Sequence, residues 1–222
     1  LEYKAQKAAD ESIDRTMKNW GLRGDNNQAA IFSFSPVDGH IIVYSGGKDY
    51  TKSQYDRVTQ AVRPPGSSFK PIVYAAALEK GISPNDMIED RPLTIGKWSP
   101  RNYGNKYRGQ IPVYKALMVS SNVCAARMIK EVGIRSVIQV ARVLGIETPL
   151  EYDYTIALGS NGVKLYEFTR AYGAFALAQR GRKNHNRGFS RYGRGLRQLR
   201  PRCFYGKRAG GKGWNLRRNF CG

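Results

Sequence analysis

One helical segment constrains the fold of this chain more than any other feature. It begins near Ser67 and ends before Gly81, and over residues 69–78 it is apolar on nearly every side. A helix that is apolar all round is buried in the core of a protein. Pro71 is compatible with this helix because it falls in or next to the first turn. Lys70 is the only charged residue within 69–78, and a buried charge is costly unless it has partners or a function.

The charge of the chain divides it into two regions. The 222 residues contain 37 Lys and Arg and 17 Asp and Glu, a formal net charge of +20. Residues 1–179 contain 23 of the basic residues and all 17 acidic residues, so their net charge is only +6. Residues 180–222 contain 14 basic residues and no acidic residue, without helical or strand periodicity. We therefore predict a mildly basic domain over 1–179 and an Arg- and Gly-rich tail over 180–222 that is disordered or translated out of frame.

Composition restricts the classes of protein that this chain can represent. Hydrophobic residues make up 41% of the chain, enough for a true core, so wholesale disorder is excluded. The longest apolar run, around residues 72–78, is too short to span a bilayer. The three cysteines lack metal-ligand spacing and only two histidines are present, so no metal or cofactor is predicted. We interpret Cys124 as a small buried hydrophobic residue.

Local patterns predict a mixture of helices and antiparallel strands. Residues 1–20 have a weak helical stripe, and 29–35 and 40–44 flank Asp38-Gly39 as two strands flank a hairpin turn. Residues 83–112, rich in Pro, Gly, Asn and Tyr, are predicted to form a loop. Further helices are predicted over 113–119, 122–132, 135–144 and 163–178.

Ser67 and Lys70 form a Ser-x-x-Lys motif at the start of the apolar helix. A helix N-terminus surrounds a serine with positive potential and free backbone N–H groups. Three residues on, the lysine lies on the same face, and burial would lower its pKa so that a neutral amine could accept the serine proton. The alternative is a helix-capping serine with a lysine that extends to solvent. Ser68 does not fit the motif because Pro71 stands three residues after it.

A second motif, Ser120-Ser121-Asn122, lies between two predicted helices. The hydroxyl of Ser120 could relay a proton, and the amide of Asn122 could bind a substrate carbonyl. Alternatively, this segment only provides the N-cap of the helix that follows.

Together the two motifs resemble the active-site set of the penicillin-binding proteins and serine β-lactamases. Arg63-Pro64-Pro65-Gly66-Ser67-Ser68-Phe69-Lys70-Pro71 is similar to the first motif of class A, bifunctional penicillin-binding proteins. The hairpin at Asp38-Gly39, the 120–122 motif and residues 156–160 extend the resemblance over about residues 1–177. The resemblance implies an α+β transpeptidase fold, with an antiparallel sheet packed on a helical cluster and incomplete at the C-terminus.

The resemblance also implies roles for four residues. Ser67 would be the acylated nucleophile, Lys70 its general base, Ser120 a proton relay to the leaving group, and Asn122 a ligand of the substrate amide. The third family motif, Lys-[Ser/Thr]-Gly, is missing after Asn122, and the family's upstream glycosyltransferase domain and membrane anchor are missing too. We therefore expect a fragment, truncated or frameshifted after about residue 177, with impaired activity.

The function implied is that of a D-Ala-D-Ala transpeptidase in peptidoglycan cross-linking, acting through an acyl-serine. Its partners would be peptidoglycan stem peptides and β-lactams, with no cofactor. It would lie in the bacterial cell envelope, on the periplasmic side of the cytoplasmic membrane, anchored by the missing upstream segment. One alternative is a β-lactamase or D,D-carboxypeptidase of the same fold. Another is a protein that binds polyanions or nucleic acid through the basic tail, although no motif for a specific nucleic acid is present.

Overall fold

The computed structural model describes residues 1–22, 24 and 26–181. The basic tail predicted from residue 180 lies outside these residues from 182 onward, as do Cys203 and Cys221. In the described part of the chain, no helix is long and apolar enough to cross a membrane.

The described residues form six helices, six short strands and three 3-10 turns. The helices are α1 (Tyr3–Asn19), α2 (Lys70–Glu79), α3 (Val113–Met118), α4 (Asn122–Val132), α5 (Ile134–Val143) and α6 (Leu165–Gly181). The strands are β1 (Ile31–Phe34), β2 (Ile41–Ser45), β3 (Val62–Arg63), β4 (Met87–Asp90), β5 (Gly109–Pro112) and β6 (Val163–Lys164). The 3-10 turns cover Gly66–Phe69, Tyr103–Asn105 and Tyr154–Leu158.

The strands pair as three separate antiparallel ladders, and the α+β class expected from the sequence is confirmed. β1 pairs with β2, with Ile31 opposite Ser45, so the predicted hairpin is present. Its connection is longer than a two-residue turn and is closed by a hydrogen bond from the Ser35 N–H to the His40 carbonyl. β3 pairs with β6 through two residues on each strand.

The prediction of a loop over residues 83–112 is wrong at both ends of that segment. β4 and β5 pair there, with Ile88 directly opposite Ile111 and both side chains buried. Two acidic residues, Glu89 and Asp90, complete β4, and acidic residues are uncommon in strands. Burial of the two isoleucines against the core therefore determines the structure of this segment, against its local propensity.

Helix α2 lies at the centre of the core, as its composition predicts. Its residues from Ile72 to Ala77 are all buried, and α4 and α5 pack against it. Each of these two helices has an amphipathic pattern and turns its apolar side inward, through residues such as Met128, Ile129 and Val137. Lys70, the first residue of α2, is buried, and Ser67 precedes it in the exposed part of the turn Gly66–Phe69.

Candidate active site

Ser67 lies in the 3-10 turn Gly66–Phe69, which continues directly into α2. The residue is exposed, and neither the turn nor α2 is capped by a side chain. The neighbouring Ser68 instead donates from Oγ to the Pro65 carbonyl at 2.5 Å. Ser67 therefore does not act as a helix cap, which was the alternative interpretation of the motif, and its hydroxyl is presented to solvent.

Contacts from other parts of the chain hold this turn in place. The Tyr172 hydroxyl, on α6, donates to the Ser68 carbonyl at 2.5 Å. The Gly66 N–H donates to the Gly159 carbonyl at 3.1 Å. Phe69 stacks on Phe168 of α6 with ring centroids 6.5 Å apart. The position of Ser67 thus depends on two segments about a hundred residues further along the chain.

Lys70 is buried, with only 1% of its surface exposed, and its ammonium is fully hydrogen-bonded. Nζ donates to the Ser120 carbonyl at 2.6 Å, to Ser120 Oγ at 2.9 Å and to Asn122 Oδ1 at 2.7 Å. These three acceptors match the three N–H donors of an ammonium group. Burial lowers the pKa of Lys70 to about 8. The lysine does not extend to solvent, and the structure brings it together with Ser120 and Asn122 of the second motif.

The hydrogen bonds of Lys70 among the described residues do not include Ser67 Oγ. The sequence predicts that the amine approaches this hydroxyl, whereas in the structure its three N–H groups donate to Ser120 and Asn122 instead. Once neutral, the amine keeps two N–H groups and gains a lone pair that can accept the Ser67 proton. Catalytic hydrogen bonds are often long without substrate and tighten when it binds.

Ser120 has the left-handed backbone conformation, with φ +53°. Helix α3 ends there in a Schellman motif, in which the Ser120 N–H bonds to the Leu117 carbonyl and the Ser121 N–H to the Ala116 carbonyl. Glycine is usual at this position because side chains are strained there. Here the strained position carries a serine whose carbonyl and hydroxyl both accept from Lys70. Such strain is typical of functional sites.

Ser121 is the residue that caps α4. Its Oγ accepts from the Cys124 N–H at 3.1 Å. The capping role proposed for the second motif therefore exists, but the middle residue performs it. Ser120 and Asn122 are left to contact Lys70.

Asn122 is oriented by two groups on opposite sides of its amide. Nδ2 donates to the Arg101 carbonyl at 2.7 Å, and Oδ1 accepts from Lys70. Among the described residues, Asn122 donates one of its two Nδ2 protons, so the second can be donated to a carbonyl of a ligand. Sequence reasoning missed the contribution of the loop at Arg101, because nothing in its composition indicates that its backbone faces Asn122.

Cys124 is excluded as a nucleophile. It is buried and unpaired, as predicted, and burial raises the pKa of its thiol to about 11. The thiolate, the reactive form, is therefore absent at neutral pH. The described residues also contain no group of three His, Cys, Asp or Glu side chains that could hold a metal ion.

Residues 29–177 match the family model of the penicillin-binding protein transpeptidase domain. The chain is 37% identical over 153 residues to penicillin-binding protein 1A of Rickettsia felis, covering 66% of this chain and 19% of that protein. It is 35% identical over 156 residues to penicillin-binding protein 1A of Pseudomonas aeruginosa, covering 67% of this chain and 19% of that protein. The chain thus spans about a fifth of the length of these relatives.

Solved structures agree with this assignment. Penicillin-binding protein 1A from Haemophilus influenzae superposes with a TM-score of 0.64 at 32% identity, covering 67% of this chain and 23% of that one. The PonA1 protein from Mycobacterium tuberculosis in complex with penicillin V has the same fold, with a TM-score of 0.69 at 23% identity over 79% of this chain and 50% of that one. The chain belongs to the penicillin-binding transpeptidase family. The family resemblance of the sequence motifs is confirmed.

The contact between Gly159 and Gly66 generates a first prediction. Gly159 has φ +69°, and a Cβ there would lie 2.1 Å from the Gly66 carbonyl oxygen. We expect Gly159→Ala to lower the free energy of unfolding by about 3 kcal/mol or more, from backbone strain and overlap together. Gly81→Ala is the control, because Gly81 also has positive φ but nothing within 4 Å. Its free energy of unfolding should fall by about 1–2 kcal/mol, from backbone strain alone. Equal losses in urea unfolding would contradict the prediction.

The left-handed conformation of Ser120 generates a second prediction, tested with two variants that both remove its hydroxyl. Ser120→Gly removes the side-chain strain at φ +53°, whereas Ser120→Ala retains it. We expect the glycine variant to be more stable than the alanine variant by about 1 kcal/mol in thermal unfolding. An alanine variant at least as stable as the glycine variant would contradict the strained geometry.

Proposed function

We propose that this chain carries the acylation site of a D,D-transpeptidase that reacts with D-Ala-D-Ala stem peptides and with β-lactams. We further propose that Ser67 is the nucleophile, Lys70 its general base, Ser120 the proton relay and Asn122 a ligand of the substrate amide. The observation that carries the proposal is the buried Lys70 ammonium, held by Ser120 and Asn122 next to the Ser67 turn. A lysine whose pKa is lowered by burial suits the role of a general base near neutral pH.

We propose the following acylation step. Neutral Lys70 accepts the Ser67 hydroxyl proton while Oγ forms a bond to the substrate carbonyl carbon. The tetrahedral intermediate then collapses and its C–N bond breaks. The leaving amine receives a proton from the Ser120 hydroxyl, which regains one from Lys70 through their 2.9 Å hydrogen bond. The same steps then run in reverse, with an acceptor amine attacking the acyl-serine, and this completes the transfer.

The proposal includes the domain boundaries and the location. We assign residues 1–179 to a partial transpeptidase domain and residues 180–222 to a separate basic tail. The 1A-type penicillin-binding proteins are cell-envelope proteins, and we infer that this chain acts on the outer side of the cytoplasmic membrane, where its substrate is.

A fluorescent penicillin tests the identity of the nucleophile. We expect a covalent adduct on the purified chain that is lost in Ser67→Ala, because no acyl-serine can form there. Ser68→Ala is the matched control, since its hydroxyl is engaged with the Pro65 carbonyl. It should label at a rate within a few-fold of the unmodified chain. Adduct mapping by mass spectrometry to any residue other than Ser67 would refute the assignment.

The pH dependence of acylation tests the role of Lys70. The neutral amine is the reactive form, so the acylation rate should rise with pH through a midpoint near the lowered pKa of about 8. Lys70→Arg keeps the charge but cannot give a neutral base, so we expect a loss of about 10²–10⁴ in rate and no such midpoint. Lys80→Arg, an exposed change at the end of α2, is the control. A Lys70→Arg variant with an unchanged pH profile would exclude lysine as the base.

A further inference from the structure

We propose that Asn102, which no sequence motif identifies, is a positioning residue for acylation. Through its side-chain amide it fixes the start of α4, and so holds Asn122 where that side chain meets Lys70. The role in acylation rests on the proposed function above. The position of Asn102 itself is supported by four hydrogen bonds of one buried side chain.

The carbonyl oxygen of this side chain binds the first turn of α4. Asn102 Oδ1 accepts from the Asn122 N–H at 2.8 Å and from the Val123 N–H at 3.1 Å. The first N–H groups of a helix have no partners inside the helix and need an external acceptor. Asn102, about twenty positions earlier in the chain, provides this acceptor for two of them.

The nitrogen of the same amide binds the other side of the network. Nδ2 donates to Asp90 Oδ1 at 2.7 Å and to the Lys106 carbonyl at 2.9 Å. Asp90 is fully buried and also accepts from Ser121 Oγ at 2.8 Å. A flipped Asn102 amide would point its oxygen at a carboxylate and its N–H groups at other N–H groups. Its orientation is therefore determined by its partners.

Arg101, the residue before Asn102, orients the side chain of Asn122. The Arg101 carbonyl accepts from Asn122 Nδ2, so Asn122 Oδ1 is turned toward the Lys70 ammonium. Residues 101 and 102 thus hold both the backbone and the side chain of Asn122. With Asn102 shortened, the first turn of α4 loses its acceptor, the Asn122 side chain shifts with that turn, and the Lys70 ammonium loses an acceptor.

A merely structural role for Asn102 makes a different prediction from a positioning role. A buried polar network that only stabilises the fold would lower the melting temperature when broken and leave the titration of Lys70 unchanged. A positioning role changes the acylation rate and its pH midpoint, because an ammonium with fewer acceptors loses its proton more easily. Besides burial, Cys124 affects the pKa of Lys70. The pKa of the Cys124 thiol is itself raised to about 11, so the thiol stays neutral near pH 8 in every variant.

The experiment compares the acylation rate against pH for the chain and two variants, with fluorescent penicillin as the probe. We expect Asn102→Ala to acylate about 10- to 100-fold more slowly and with a midpoint at lower pH. Val137→Ala opens a cavity beside α5 at a side chain that takes no part in these hydrogen bonds, and should lower the melting temperature without moving the midpoint.

Two results would overturn the proposal. One is an Asn102→Ala variant with unchanged rate and midpoint, and the other is a Val137→Ala variant that reproduces both changes. Should Asn102→Ala fail to fold, Asn102→Ser, too short to join α4 to Asp90, should give the same two changes. The pKa of Lys70 measured by NMR gives a readout that needs no acylation. If the unmodified chain does not label, the proposed function fails, and an unchanged Lys70 pKa in Asn102→Ala then refutes the positioning role separately.

Discussion

The site depends on one buried ammonium group. Helix α2 is apolar enough to occupy the centre of the core, and this location deprives Lys70 of water. The charge survives there because three oxygens, two from Ser120 and one from Asn122 at the start of α4, replace its hydration. These hydrogen bonds hold two segments of the chain together, whereas the burial of the same group lowers the pKa of Lys70 to about 8.

The α3–α4 connection divides its tasks among three consecutive residues. Ser120 takes the strained left-handed conformation that ends α3, Ser121 caps α4, and Asn122 faces Lys70. None of these tasks is interchangeable, because each needs a different backbone geometry. The loop that carries Asn102 supports Ser121 and Asn122, through Asp90 and the first turn of α4. The motif Ser120-Ser121-Asn122 thus joins the end of α3 to the start of α4 and connects both to the buried network.

Strong local signals made much of this structure predictable. The apolar run of α2, the Asp38-Gly39 hairpin and the two motifs are local patterns, and each lies where the sequence indicates. The strands at 87–90 and 109–112 were missed because burial, a non-local property, determines them. Asn102 and Tyr172 were missed as parts of the site for a related reason. Their contacts join residues far apart in the chain, and a single sequence does not reveal which distant groups meet.

The close approach of Gly66 and Gly159 has a consequence for how the chain matures. The two glycines come from segments far apart in the sequence, and their backbones touch directly behind Ser67. The hydroxyl therefore cannot take its place until the late part of the domain has docked onto the early part. A nascent or partly unfolded chain would therefore contain the complete first motif while Ser67 is not yet held in its native position.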